Sequence, residues 1–98
     1  MEWMHAAALR FELWVPDSRS LKTKRAAIRP IVDGLRHRFH VSVAEVAHQD
    51  QWQRAEIAVA IVAESDGRVQ HLLDGVERYV AAAPAVELLR TETTWLET

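Results

Sequence analysis

The sequence has no cysteine, no asparagine and only three glycines and three prolines. Without thiols there is no disulfide framework, no thiolate metal centre and no cysteine nucleophile, a usage that fits the cytoplasm. Long hydrophobic runs are missing as well. The opening stretch MEWMHAAALRFELWV is broken by His5, Arg10 and Glu12, so neither a signal peptide nor a membrane span is expected there. No low-complexity tract, linker or internal repeat larger than one helix-strand unit is present. The chain's 98 residues, 49% of them hydrophobic, are therefore read as one globular domain over residues 1–98. A chain of this length buries roughly 60–65% of its unfolded surface.

The apolar residues that are present carry two periods. Leu9, Phe11, Leu13 and Val15 alternate with polar or bulky neighbours, the period of a half-buried strand that Pro16 and Asp17 end. Ser20 is a candidate N-cap, followed by Leu21, Ile28, Val32, Leu35 and Phe39 as one helical stripe. Pro30 falls opposite that stripe, predicting one helix bent on its solvent side. Residues 40–48 and 55–63 read as strands joined by the short connection HQDQWQR. Ser65 or Asp66 is placed to cap a second helix carrying Val69, Leu72, Leu73, Val76 and Val80. A last strand is predicted from about Val86 to Leu96. The order β-α-β-β-α-β predicts an α+β, ferredoxin-like sandwich, with a four-stranded antiparallel sheet and both helices on one face.

Charge is distributed unevenly over this pattern. Arg19, Lys22, Lys24, Arg25, Arg29, Arg36 and Arg38 lie within twenty residues that contain a single acid, Asp33. The stretch is +6, and the five remaining cations against thirteen acids leave −8 elsewhere, giving the net charge of −2. On a helical wheel Lys22, Arg25, Arg29 and Arg36 share one flank of the apolar stripe, with Lys24 and Arg38 on the other. Lys22 and Arg36 are about 21 Å apart along a helix, far enough to meet several phosphates, and Arg grips phosphate oxygens bidentately. The alternative is a solvated flank whose charges pair with the acidic remainder. The scarcity of acids at i,i+4 positions argues against that.

The connection between the middle strands gathers His48, Asp50, Trp52 and Arg54. Two possible ligands on a hairpin fall short of a metal site, and no partner for acid-base chemistry is evident. A turn with Asp50 bonded to backbone and Trp52 packed over the end of the sheet explains the residues structurally. Beside a basic helix the same residues form a candidate recognition loop. Four tryptophans are many for this length, and Trp3 and Trp95 meet if the first and last strands pair. The small residues Ala58 and Ala60 on an open sheet face would accept a second copy, so a homodimer is the rival reading.

The segments SRSLKTKR and RFHVSVAEVAHQDQWQRA resemble the YlxP-like family of small bacterial proteins of unassigned function. The likeness runs from LRFELWVP to VELLRTETTW. It implies a ferredoxin-like fold and a link to translation or ribosome maturation, and it implies no catalytic residues. One departure is Thr23, where the family pattern places a Glu that closes a capping box with Ser20, so a somewhat weaker helix start is expected. Sheet-face aromatics of an RNA-recognition motif and the GXXG loop of a KH domain are both missing. The expected partner is thus structured RNA or a ribosomal subunit, held by its phosphates. An enzyme is not expected. Acylphosphatase-like chemistry on this fold needs an Asn and a glycine-bearing phosphate loop, and a copper chaperone needs paired cysteines. No cofactor, metal or membrane partner is expected.

Overall fold

Six elements follow one another in the computed structural model, which describes residues 4–96. They are β1 (His5–Trp14), α1 (Leu21–Phe39), β2 (Ser42–Ala47), β3 (Arg54–Ala63), α2 (Asp66–Ala81) and β4 (Glu87–Trp95). The strands form one sheet in the order β2-β3-β1-β4, every neighbouring pair antiparallel. This is the ferredoxin-like α+β arrangement that the periodicity predicts. The expected encounter of Trp3 with Trp95 lies outside the described residues.

Strand β1 begins earlier than its alternating core suggests, because His5 through Trp14 pair continuously with Ala63 through Arg54. Strand β2 is shorter than 40–48. His40 turns left-handed (φ 54°) to close α1, and His48 does the same (φ 64°) as the chain leaves β2. Leu9, Phe11 and Leu13 of β1 and Ile57, Val59 and Ile61 of β3 point to the helix side and are buried. Ile28, Ile31 and Leu35 from α1 and Val69, Leu73, Val76 and Val80 from α2 complete the core. Each such side chain removed from water contributes about 1.5–3 kcal/mol.

Both helices start on a serine. The Ser20 Oγ accepts from the Thr23 N–H at 3.0 Å. The Thr23 hydroxyl lies 2.9 Å from the Ser20 hydroxyl, the contact that Thr makes where Glu would reach the cap's backbone. Ser65 rather than Asp66 caps α2, accepting from the Arg68 N–H at 3.1 Å. Pro30 lies on an exposed face inside α1, and the helix continues through it.

Two glycines set how closely the helices meet. A Cβ at Gly34 of α1 would overlap the Tyr79 hydroxyl and approach its Cζ to 2.7 Å. A Cβ at Gly75 of α2 would come within 2.9 Å of Phe39 Cε1. Each helix thus offers a notch to the other's aromatic ring, and the two rings pack tilted with centroids 5.8 Å apart. The opposite face of the sheet carries no helix. There Ala6, Ala8, Ala58, Ala60 and Val62 form one end, and Arg10, Glu12, Glu56, Arg90 and Glu92 form an ion-paired ladder further along.

Gly34→Ala should lower stability by about 1–3 kcal/mol, the cost of overpacking a filled site, whereas Gly67→Ala should raise it by up to about 1 kcal/mol. Gly67 has nothing within 4 Å of the added methyl; urea denaturation of the two variants checks the contrast. On the ladder, the hydrogen bond and charge of Arg10 hold the Glu92 carboxyl below its usual range. A depressed carboxyl contributes stability above its unfolded value, about 4.3, and loses it as pH falls through the folded value. Glu92→Gln should therefore flatten the acid limb of a stability profile below about pH 5, its deficit against the unchanged protein being present at neutral pH and vanishing toward low pH, as read by thermal melts across pH.

Candidate nucleic-acid interface

The cationic stretch divides when the helix docks. Lys24 does not stand on a flank: its side chain is 1% exposed and runs under the β2–β3 connection. Its ammonium donates to the carbonyls of His48 at 2.7 Å, Arg54 at 3.2 Å and Gln49 at 3.4 Å. An ammonium has three protons, so these carbonyls use all of them. Glu45 Oε2 lies 3.1 Å from the same nitrogen without an aligned hydrogen bond, and supplies charge compensation alone. The expectation that Lys24 meets a ligand is corrected accordingly. The physical reason is its position one turn before Ile28, on the stripe that faces the sheet.

The rest of the stretch stays outside. Arg19, Lys22, Arg25, Arg29, Arg36 and Arg38 are all exposed. Among the described residues none of these six has a carboxylate within 4.0 Å. Lys22, Arg25, Arg29 and Arg36 keep the common flank that the wheel gives them. The last three line a shallow groove of about 240 Å³ between α1 and β2, with Asp33 and Glu45 also on its walls. Arg36 donates to the Val43 carbonyl at 2.6 Å, which bends its guanidinium over the outermost strand. Arg38 faces α2 instead, 5.9 Å and 5.8 Å above the Phe39 and Tyr79 ring centroids, a cation–π geometry. The first turn of α1 contains no acid, so the positive end of the helix dipole adds to Arg19 and Lys22.

The HQDQWQR connection is held against the start of α1. The Val15 N–H donates to the Gln53 carbonyl at 2.8 Å, and Gln53 Nε2 donates to the carbonyls of Pro16 and Ser18 at 3.3 Å each. With Lys24 beneath, both ends of the loop are fixed. Its tip is a turn closed by the Gln51 N–H on the His48 carbonyl at 3.0 Å. Among the described residues Asp50 makes no hydrogen bond to backbone, and Trp52 stands 56% exposed. Trp14, Arg19, Asp50, Trp52 and Arg54 line one basin of about 570 Å³ beside the helix start.

His48 turns toward Glu12 on the open sheet face. Its Nε2 is 3.4 Å from Glu12 Oε1, and Arg54 Nη2 is 2.6 Å from that same oxygen. Donor atoms of Glu12, His48 and Glu56 lie within 4.8 Å of one another, a spacing that a divalent ion could bridge. The Arg54 guanidinium already neutralises Glu12, and Arg10 approaches Glu56 at 4.0 Å. The cluster is the end of the ion-paired ladder.

Comparison with known proteins places these features in a family. Residues 6–93 match the family described as protein of unknown function (DUF503). The chain belongs to the DUF503 family. It is 33% identical over 84 residues to the uncharacterized protein YlxP of Bacillus subtilis (strain 168), covering 86% of this chain and 91% of that protein. The de novo designed protein Foldit4 superposes with a TM-score of 0.55 at 16% identity, over 93% of this chain and 96% of its own. A dinuclear metal binding peptidase of the M20 family from Bacillus subtilis superposes at 0.58 with 14% identity; 94% of this chain matches 26% of that one. Both structures show a shared fold and nothing about activity.

In this DUF503 domain the sequence reading missed Gln53, Trp14 and Glu12 as parts of the two loop surfaces. Trp14 and Glu12 come to the loop through strand register, Trp14 lying opposite Arg54 and Glu12 opposite Glu56, while Gln53 belongs to the loop itself. Lys24 was recoverable, since 24, 28, 31 and 35 fall on one helical stripe. No helix among the described residues is long and apolar enough to cross a membrane.

Lys24→Met keeps the volume but leaves three loop carbonyls and Glu45 without their cation. It should cost about 3–5 kcal/mol, the range for breaking a buried charge pair. Glu45→Gln should cost much less, because that carboxylate has no aligned hydrogen bond. Urea denaturation of both variants measures the difference.

Proposed function

We propose that this domain is a non-enzymatic accessory factor that binds structured RNA, as found on a ribosomal subunit, through the exposed flank of α1. The observation that carries this reading is the row Lys22, Arg25, Arg29 and Arg36, exposed and free of carboxylate partners among the described residues. A solvated helix of an acidic chain would be expected to neutralise such a row with its own acids. The acid-poor first turn and Arg19 extend the same field beyond the N-cap. Phosphates satisfy all these groups at once, and the remainder of the chain, at −8, repels a nucleic-acid backbone everywhere else. Base-specific reading is not required of a helix flank, so affinity should be salt-dependent and tolerant of sequence.

A second reading rests on the open sheet face. Ala6, Ala8 and Ala60 form the floor of a shallow depression rimmed by Val62 and Leu96, 64% and 53% exposed. Such a flat apolar floor suits a second copy, and light scattering that returns only monomer at high concentration removes this reading.

For the RNA reading, Arg25→Glu with Arg29→Glu should abolish co-sedimentation with ribosomes or RNA at low salt while leaving the circular dichroism unchanged. For the unchanged protein, four neutralised phosphates predict a slope of log K against log salt near about −3. Retained binding by the double variant would refute the assignment.

A further inference from the structure

The basin at the head of α1 differs in chemistry from the helix flank that runs away from it. Along the flank there are cations without aromatic surface. In the basin there is Trp52, 56% exposed, with Trp14 at the wall, Arg19 and Arg54 at the rim and Asp50 among them. Its volume of about 570 Å³ falls within the range of small-ligand pockets, about 300–1,000 Å³.

An exposed indole offers a broad, flat apolar face with one polar edge. The loop that carries it is tied down. Its backbone is clamped from below by Lys24 on three carbonyls and from the side by Gln53 on two. The backbone that carries the indole is therefore held in place, which lowers the ordering cost of stacking a planar partner on it. The single acid decides which part of a nucleotide fits. Asp50 disfavours a phosphate in the basin, and its carboxylate accepts hydrogen bonds from the amino and ring N–H groups of a base edge. Arg19 lies between the basin and Lys22 in the chain and offers the adjoining phosphate a guanidinium.

From this arrangement we infer that the basin formed by Trp14, Arg19, Asp50, Trp52 and Arg54 binds an unpaired nucleobase, at the end of an RNA strand whose phosphates follow the α1 flank. The inference rests on the phosphate-binding reading of that flank and adds the class of RNA: one with a single-stranded, bulged or terminal nucleotide rather than uninterrupted duplex. Stacking on an aromatic side chain is tolerant of sequence, so the basin reads the presence of an unstacked base more than its identity.

The test uses fluorescence anisotropy with a short single-stranded RNA of mixed sequence and the blunt duplex of the same sequence, both end-labelled, in one buffer. Trp52→Ala should weaken binding of the single strand by about 5- to 150-fold, the loss of one stacked base, and leave duplex binding unchanged. Trp52→Phe, which keeps an aromatic face, should retain most of the affinity. Because Trp52 is exposed, both variants should keep the wild-type circular dichroism. Equal losses for the two RNAs, or none for the single strand, would overturn the base-binding basin while leaving the phosphate row intact. Failure of the unchanged protein to bind either RNA would overturn both.

Discussion

One buried ammonium organises the end of the molecule where the candidate site lies. Lys24 reaches the loop carbonyls from inside, and its charge is balanced by Glu45 on β2. Desolvating an ammonium is expensive, and only a complete set of acceptors offsets it. The loop must therefore keep the one conformation that aims three carbonyls at one point. The left-handed backbone of His48 belongs to that conformation: its carbonyl makes the shortest of the three bonds, at 2.7 Å. A loop that would otherwise be a mobile hairpin tip becomes a fixed platform beside the start of α1.

The other end of the helix layer is fixed by shape instead of charge. Gly34 admits Tyr79 and Gly75 admits Phe39, so the two antiparallel helices lock at both positions without a polar contact. The cationic flank of α1 then faces away from α2, toward β2 and solvent. Orientation of the charged row is thus a consequence of where two side chains are missing. Arg38, on the α2 side, settles over the rings that fill those notches and is separated from the other cations for the same reason.

The fold was legible because its signals are local and repetitive. The alternation of Leu9, Phe11 and Leu13 and the three- and four-residue steps of both helices need no tertiary knowledge. Caps at Ser20 and Ser65 are equally local. The candidate site was legible in part. The crowding of cations between Arg19 and Arg38 is a property of the chain, but which of them face solvent depends on docking. Lys24 has the residue type of a surface and the position of a core, and position prevailed. The loop residues were identifiable as a group, but their division was not. His48 reaches Glu12, whereas Trp52 stands with Trp14 and Arg19. That division follows from strand register and from the turn at His48, neither of which a single sequence specifies.

Strand β2 ends the sheet on the side of the charged helix. The Arg36 guanidinium lies against it on the Val43 carbonyl, and a bulge between Glu45 and Ala47 breaks its regular register. Both are devices by which a bare strand margin is kept from recruiting a neighbour. Growth by adding a fifth strand from another molecule is hindered at this margin of the sheet. An arginine that is read first as a ligand for anions is, in the same position, a guard against fibre-like extension.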